Sequence, residues 1–139
     1  MKKIFSFFLV VFLLVFSLSL NAQSMYGSNG QNIGKIDSDG TLRNSNGASI
    51  GKIQRDGIIR NSNGAQIGKI DSDGTIRDKN NASIGKVDSD GTVRNKYGAS
   101  IGKIDRDGTV RNANGAQIGR VSSIEPKLAA VVFFMDFFK

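Results

Sequence analysis

Hydrophobic positions along the chain fall into three regimes. From Ile4 to Leu20 the run is apolar, interrupted only by Ser6, Ser17 and Ser19. From Ile33 to Val121 the aliphatics are sparse and periodic: Gly34, Gly51, Gly68, Gly85, Gly102 and Gly119 stand seventeen residues apart, each inside an Ile-Gly-Lys or Ile-Gly-Arg triplet. From Leu128 to Phe138 nearly every position is apolar again. A short fixed period means that each unit is one supersecondary element, which buries its apolar face only by stacking on its neighbours. Within each unit lie two pieces rich in Ile, Val and Thr, a longer one such as Ala48 to Ile53 and a shorter one such as Thr41 to Arg43. Both are too short for a helix and read as strands.

Two turn signals separate the strands. Asp37-Ser38-Asp39-Gly40 recurs in units ending at Gly57, Gly74, Gly91 and Gly108, and Asn44-Ser45-Asn46-Gly47 in units ending at Gly64, Asn81, Gly98 and Gly115. A short amide or carboxylate at the first position bonds the backbone two residues on, and glycine at the fourth accepts a positive φ. This is the chemistry of a type I turn followed by a left-handed residue, a frequent hairpin connection. Asn81 replaces glycine with the side chain that best tolerates that conformation. The longer strand carries an irregularity, because Ala48 and Ile50 share one face in strict alternation and Ile53 falls on the other. Gly51 lies between them, which implies either a bulge that restores one apolar face or a backbone approach too close for a side chain.

These residues carry a resemblance. Five tandem units of the Ile-Gly-Lys-Ile-Asp-x-Asp-Gly-Thr-Ile-Arg type, behind an apolar leader and ahead of an Ala- and Phe-rich tail, resemble the five-fold β-flower proteins of bacterial origin. The resemblance implies an all-β fold, with five 17-residue β-hairpin repeats in a closed or near-closed five-fold array, flower-like or propeller-like. It brings no activity with it. An open solenoid of hairpins shares the glycine spacing.

The chain divides accordingly into residues 1–22, 23–32, 33–121 and 122–139. The first segment has a Lys2-Lys3 start, the apolar run and Ala22 as a cleavage position, the layout of a secretory signal peptide. An uncleaved anchor is the other reading, since the run is near the lower limit of about 17 residues for crossing a bilayer. Removal of Lys2 and Lys3 lowers the formal charge from +7 to +5. Residues 23–32 read as a lead-in. In the tail, Pro126 suits the first turn of a helix and Leu128, Val131, Val132, Met135 and Phe138 share a stripe. Ala129, Ala130, Phe133, Phe134 and Phe137 make its other side apolar too, so the segment calls for burial, as a cap on the array, as an oligomer contact or as a membrane-surface contact. It is too short for a stable membrane span. The expected address is secreted, periplasmic or at the cell surface.

Candidate chemistry is thin. The Asp-x-Asp-Gly turns offer two carboxylates where a calcium loop needs more, and Glu125 is the only Glu, so no metal site and no cofactor is expected. The chain has no His and no Cys, hence neither the usual general base nor a thiol nucleophile nor a disulfide. Identical Asp pairs in unit after unit look like a folding motif, and no catalytic residue is assigned. A basic series on the short strands, Arg43, Arg60, Arg77, Arg94 and Arg111, accompanies Lys35, Lys52, Lys69, Lys86, Lys103 and Arg120 on the long ones. In a ring, equal positions converge, which makes the Arg series a candidate belt for an anion or an acidic saccharide. Pairing of each Arg with a nearby turn Asp is the competing arrangement. Tyr26 and Tyr97 are the only aromatics between leader and tail, so the stacking platforms of single-strand nucleic-acid binding are missing. The function expected is that of a non-enzymatic exported module that meets an envelope protein or polysaccharide.

Overall fold

The computed structural model describes residues 22–122 and 125–138; the leader, apart from Ala22, lies outside the described residues. Twelve strands form: β1 (Gln23–Gly27), β2 (Asn32–Ile36), β3 (Thr41–Asn44), β4 (Ser49–Ile53), β5 (Ile58–Asn61), β6 (Gln66–Ile70), β7 (Thr75–Asp78), β8 (Ser83–Val87), β9 (Thr92–Asn95), β10 (Ser100–Ile104), β11 (Thr109–Asn112) and β12 (Gln117–Val121). Each pairs antiparallel with its sequence neighbours, and β1 pairs with β12, so the sheet closes into one barrel with no free edge.

The turns form as their residues dictate. In the first hairpin of this kind, Gly40 N donates to Asp37 O at 2.9 Å, and Asp39 Oδ1 accepts from Thr41 N at 2.9 Å. At the opposite rim, Gly47 N donates to Asn44 O at 3.0 Å, and Asn44 Oδ1 accepts from Asn46 N and Ala48 N. Asn81 takes φ 70°, the one non-glycine residue with positive φ among those described. Both readings of Gly51 hold together. Leu42 pairs with Gly51 but Arg43 pairs with Ser49, so Ile50 is the extra residue of a bulge, and the same slip recurs at Ile67, Ile84, Ile101 and Ile118. Gly51 and Ile53 point inward together by ordinary alternation, and the slip leaves Ile50 half-buried and Ala48 exposed.

The repeat count differs from the five-fold array expected. The lead-in is not a lead-in: Ser24-Met25-Tyr26-Gly27-Ser28-Asn29-Gly30 occupies the place that Thr41-Leu42-Arg43-Asn44-Ser45-Asn46-Gly47 holds in the next unit. Its strand β1 pairs Met25 with Val121 and Tyr26 with Arg120, as Val110 pairs with Ile104 and Arg111 with Lys103 within the array. The two chain ends thus supply the two halves of a sixth unit, and twelve strands in a single continuous ladder replace separate propeller blades. An array of five whole units left with an open edge at each end would expose unpaired backbone donors and acceptors, and this seam removes both.

Alternate residues point into the barrel. Ile36, Ile53, Ile70, Val87, Ile104 and Val121 face Leu42, Ile59, Ile76, Val93, Val110 and Met25 across the ladder, all at 3% exposure or less. Eight strands close tightly enough for side chains to fill the interior; twelve leave room. The room is taken by helix α1 (Pro126–Phe134), whose Leu128, Ala129, Ala130 and Val131 are fully buried in the same cluster. After β12 the chain folds over the Asp-turn rim, where Lys127 Nζ donates to Ser72 O at 3.0 Å, with Pro126 at the first turn and Glu125 as the cap. From that rim the tail crosses to the glycine layer. There the ring of Phe133 lies against Gly119, Phe134 against Gly102, the Met135 side chain against Gly85, Phe137 against Gly68 and Phe138 against Gly51, each where a Cβ would otherwise be. One short segment touches five positions spread around a closed ring only if it sits on the axis. Leu128 to Val131 and Met135 are enclosed by the chain's own barrel, while Val132, Phe133, Phe134, Phe137 and Phe138 stay partly exposed.

Candidate functional site

With the lumen occupied, repeated polar chemistry is displayed on the outer wall. In β3, Leu42 points inward, so Arg43 points outward, and the alternation repeats at Arg60, Arg77, Arg94 and Arg111. Each is held by both rims. Arg43 Nε donates to Asp37 Oδ2 at 2.7 Å and Nη1 to Gly47 O at 3.0 Å; Arg77, Arg94 and Arg111 repeat this with Asp71, Asp88 and Asp105 and with the carbonyls of Asn81, Gly98 and Gly115. Arg60 has the neutral acceptor Gln54 Oε1 instead, at 2.7 Å. The Arg side chains are a third or more exposed, so solvent screening leaves each ion pair little net contribution to stability.

The register sets a lysine directly opposite each arginine: Lys35 by Arg43, Lys52 by Arg60, Lys69 by Arg77, Lys86 by Arg94 and Lys103 by Arg111. Like charges so placed repel. Asp37 relieves the first pair by accepting from Arg43 and standing 3.5 Å from Lys35 Nζ. Its carboxyl is held below its ordinary value by the Arg43 hydrogen bond first, with the charges of Arg43 and Lys35 adding to it. Asp39, Asp73, Asp90 and Asp107 are likewise lowered, chiefly by the backbone N–H of Thr41, Thr75, Thr92 and Thr109.

The five Arg therefore do not converge as a ring reading expects. They sit on the convex side, two strands or about 10 Å from one to the next, each guanidinium held by its own turn side chain and rim carbonyl. An extended polyanion that follows the circumference meets them in sequence. The girdle is uneven in three places, one of them the Asp105-Arg106-Asp107-Gly108 turn, where Arg106 stands in place of serine. At Arg60 the carboxylate is missing and Arg55 replaces the turn serine found at Ser38 and Ser72, so that Lys52, Arg55, Arg60 and Lys69 lie on this hairpin and its neighbour with Asp56 in the turn and Asp39 close enough to act on Lys52. At the seam, Tyr26 stands where an Arg would, opposite Arg120, beside a groove of about 590 Å³ whose lining includes Ser28, Gln117 and Ser122. The ten turn positions are at the rims: Gly40, Gly57, Gly74, Gly91 and Gly108 buried at one, Gly47, Gly64, Asn81, Gly98 and Gly115 exposed at the other, all at positive φ. Among the described residues no cluster of His, Cys, Asp and Glu could hold a metal ion.

Sequence reasoning missed the seam and the glycine–ring contacts. The first had a signal, since Ser28-Asn29-Gly30 and Ile33-Gly34 echo Ser45-Asn46-Gly47 and Ile50-Gly51. The second had a weaker one, in aromatics absent from the repeats and crowded in the tail.

A family model described as 5-fold beta-flower protein matches residues 22–139. Comparison with the curated proteins and with the solved structures returned no match.

Proposed function

The chain belongs to the 5-fold beta-flower family, and from that premise we propose that it is a non-enzymatic exported module of the cell envelope that presents a repeated outer wall to an envelope protein or polysaccharide. The observation that carries the reading is the placement of the chain's own tail in the barrel. Side chains that would line an internal ligand cavity pack instead on Leu128 to Phe138, and chemistry repeated on the outside offers many equivalent contacts. Weak equivalent contacts gain avidity when the partner is itself multivalent. The leader layout supports an exported address.

A second reading, binding of an acidic saccharide, is favoured by one local feature: the hairpin around Arg60, which with its neighbour carries four cations and where the usual carboxylate is replaced by Gln54. Salt and substitution separate the two. The mature chain is presented with envelope extracts and with a purified acidic polysaccharide, beside an Arg55→Ser/Arg60→Ala variant. Capture that persists at high salt and in the variant supports the interaction module; binding that falls steeply with salt and is lost in the variant supports the saccharide reading. Recovery of the protein from the cytosol with residues 1–22 intact would overturn the exported address under both.

A further inference from the structure

Gln23, the first residue of β1, has an unusual position. It is 1% exposed, on the same inward face as Met25, and neither its side-chain Oε1 nor its Nε2 has a hydrogen-bond partner. Its register partner is Ile36. The equivalent place in the other units is a glycine: Gly40 donates no side chain there, and its carbonyl accepts from Ile53 N at 2.9 Å. At Gly57, a Cβ would strike the carbonyl oxygen of Ile70. The barrel thus reserves this place for a residue without a side chain, except at its first strand, where it holds an orphaned primary amide. Leaving such a group buried and unpaired is costly.

The residue before it is Ala22, the expected cleavage position of the leader. Cleavage there makes Gln23 the first residue of the mature chain and leaves an α-ammonium beside the buried amide, a worse arrangement still, with two amide and three ammonium donors at one strand end. N-terminal glutamine has an intramolecular way out. The neutral α-amine attacks Cδ; the N–Cδ bond forms, the Cδ–Nε2 bond breaks, and Nε2 leaves as ammonia with a proton given up by the amine. Nothing is oxidised or reduced and no co-reactant is consumed. The product is a five-membered lactam that carries one N–H and one carbonyl and no charge.

We propose that the mature chain begins with pyroglutamate at position 23, a modification that removes both the orphaned Nε2 and the terminal charge from the barrel seam. The strand end is otherwise well anchored: Ser24 N donates to Ser122 Oγ at 2.8 Å and Ser122 N to Ser24 O at 2.9 Å. The lactam therefore caps the strand through which β1 and β12 close the ring. This inference rests on the exported reading above.

The test is intact and fragment mass spectrometry of the full-length chain expressed with its own leader and recovered from outside the cytoplasm. The expected species starts at position 23 and is lighter than the unmodified chain by one ammonia, with the deficit confined to the N-terminal fragment. A chain outside the cytoplasm that retains residues 1–22 overturns the modification and leaves export standing in an anchored form, whereas a chain found only in the cytosol with residues 1–22 intact defeats the exported reading and this inference with it. A chain that starts at Gln23 with full mass and a labelable α-amine, or one that starts elsewhere, overturns the modification and leaves export standing. Gln23→Ala is the control: it should keep its α-amine and full mass, and the same ammonia deficit in that variant would place the loss at another amide and refute the assignment. Pyroglutamyl aminopeptidase should release the residue only after denaturation, and release from the folded protein would refute its burial.

Discussion

The contact between tail and glycine layer makes a graded prediction. Alanine at Gly102 places its Cβ against the ring of Phe134 and 2.5 Å from Arg111 O, whereas at Gly85 it meets the flexible end of Met135 at 2.6 Å and Arg94 O at 2.8 Å. A rigid ring and a closer carbonyl leave less room to yield than a thioether does. Overpacking of a tight core costs about 1–3 kcal/mol, and Gly→Ala recovers about 0.4–1 kcal/mol by restricting the unfolded chain. Gly102→Ala should therefore destabilise by about 1–2 kcal/mol and Gly85→Ala by less than about 1 kcal/mol. Phe134→Ala removes a half-buried ring, at a cost of about 2 kcal/mol against 3–5 for full burial. Once the ring is gone, the new methyl at position 102 has only the carbonyl to avoid, so the double variant Gly102→Ala/Phe134→Ala should be more stable than additivity predicts by about 1 kcal/mol. Urea titrations of the four proteins at a common slope give the cycle directly. Additivity within about 0.3–0.5 kcal/mol, or equal losses at Gly85 and Gly102, would mean that the tail does not lie on the glycine layer as described.

Three further outcomes follow from the turns and their clamps. Gly74→Val forces a β-branched side chain into φ 93° against the carbonyl of Val87 and should cost about 1–3 kcal/mol, while Asn81→Gly, at φ 70°, should be neutral or slightly stabilising; thermal melts that rank the two alike would refute the turn geometry. Asp39, Asp73, Asp90 and Asp107 have folded-state pKa values below the ordinary 3.8, so their stabilisation is present above that value and disappears as pH falls through the lowered folded values. Melting temperature should be level near neutrality and decline below about pH 4, and the combined Asp→Asn variant should show a shallower decline; an unchanged acid limb would contradict the assignment. Asp71→Gln, which copies the Gln54 arrangement, should change stability by less than about 0.5 kcal/mol in denaturant titration, because an exposed ion pair and a neutral acceptor differ little at that site.

Much of the architecture was legible because each element is set by local chemistry. The strands, both turns and the left-handed place of Asn81 follow from residues within four positions of one another. Even the arginine clamp was half visible, as pairing with a turn Asp. What was not legible is what depends on closure. Strict alternation cannot say that Ile50 is the extra residue of a bulge, since that depends on the pairing of Arg43 with Ser49 across the next strand. Nor does spacing tell whether equal side chains converge on an axis or diverge from it; the inward set proved to be Gly51, Ile53 and Ile59, which sends Arg60 outward. Gln23 was invisible as a special position until β1 acquired β12 as a neighbour.

The composition of the two ends then has a common cause. A twelve-strand barrel is wider than its aliphatic rows can fill, and larger side chains in the repeats would widen the mismatch between units that must stay alike to stack. The chain instead keeps one inward row as glycine and delivers bulk on a single axial segment, where five successive large side chains each find one glycine. Met135 rather than Phe stands at Gly85, and Asp136 is exposed between Met135 and Phe137, so the path is not a strict helix continued through the layer: α1 stops at Phe134 and the chain unwinds to carry its last rings around the ring of glycines. Five large side chains serve five glycines, and the sixth, Gly34, has the Met25 methyl 3.3 Å from where its Cβ would be. That sixth place belongs to the unit divided between the chain ends. A tail entering beside β12 can sweep the layer from Gly119 to Gly51, and at the remaining unit the first strand supplies the filling from its own methionine.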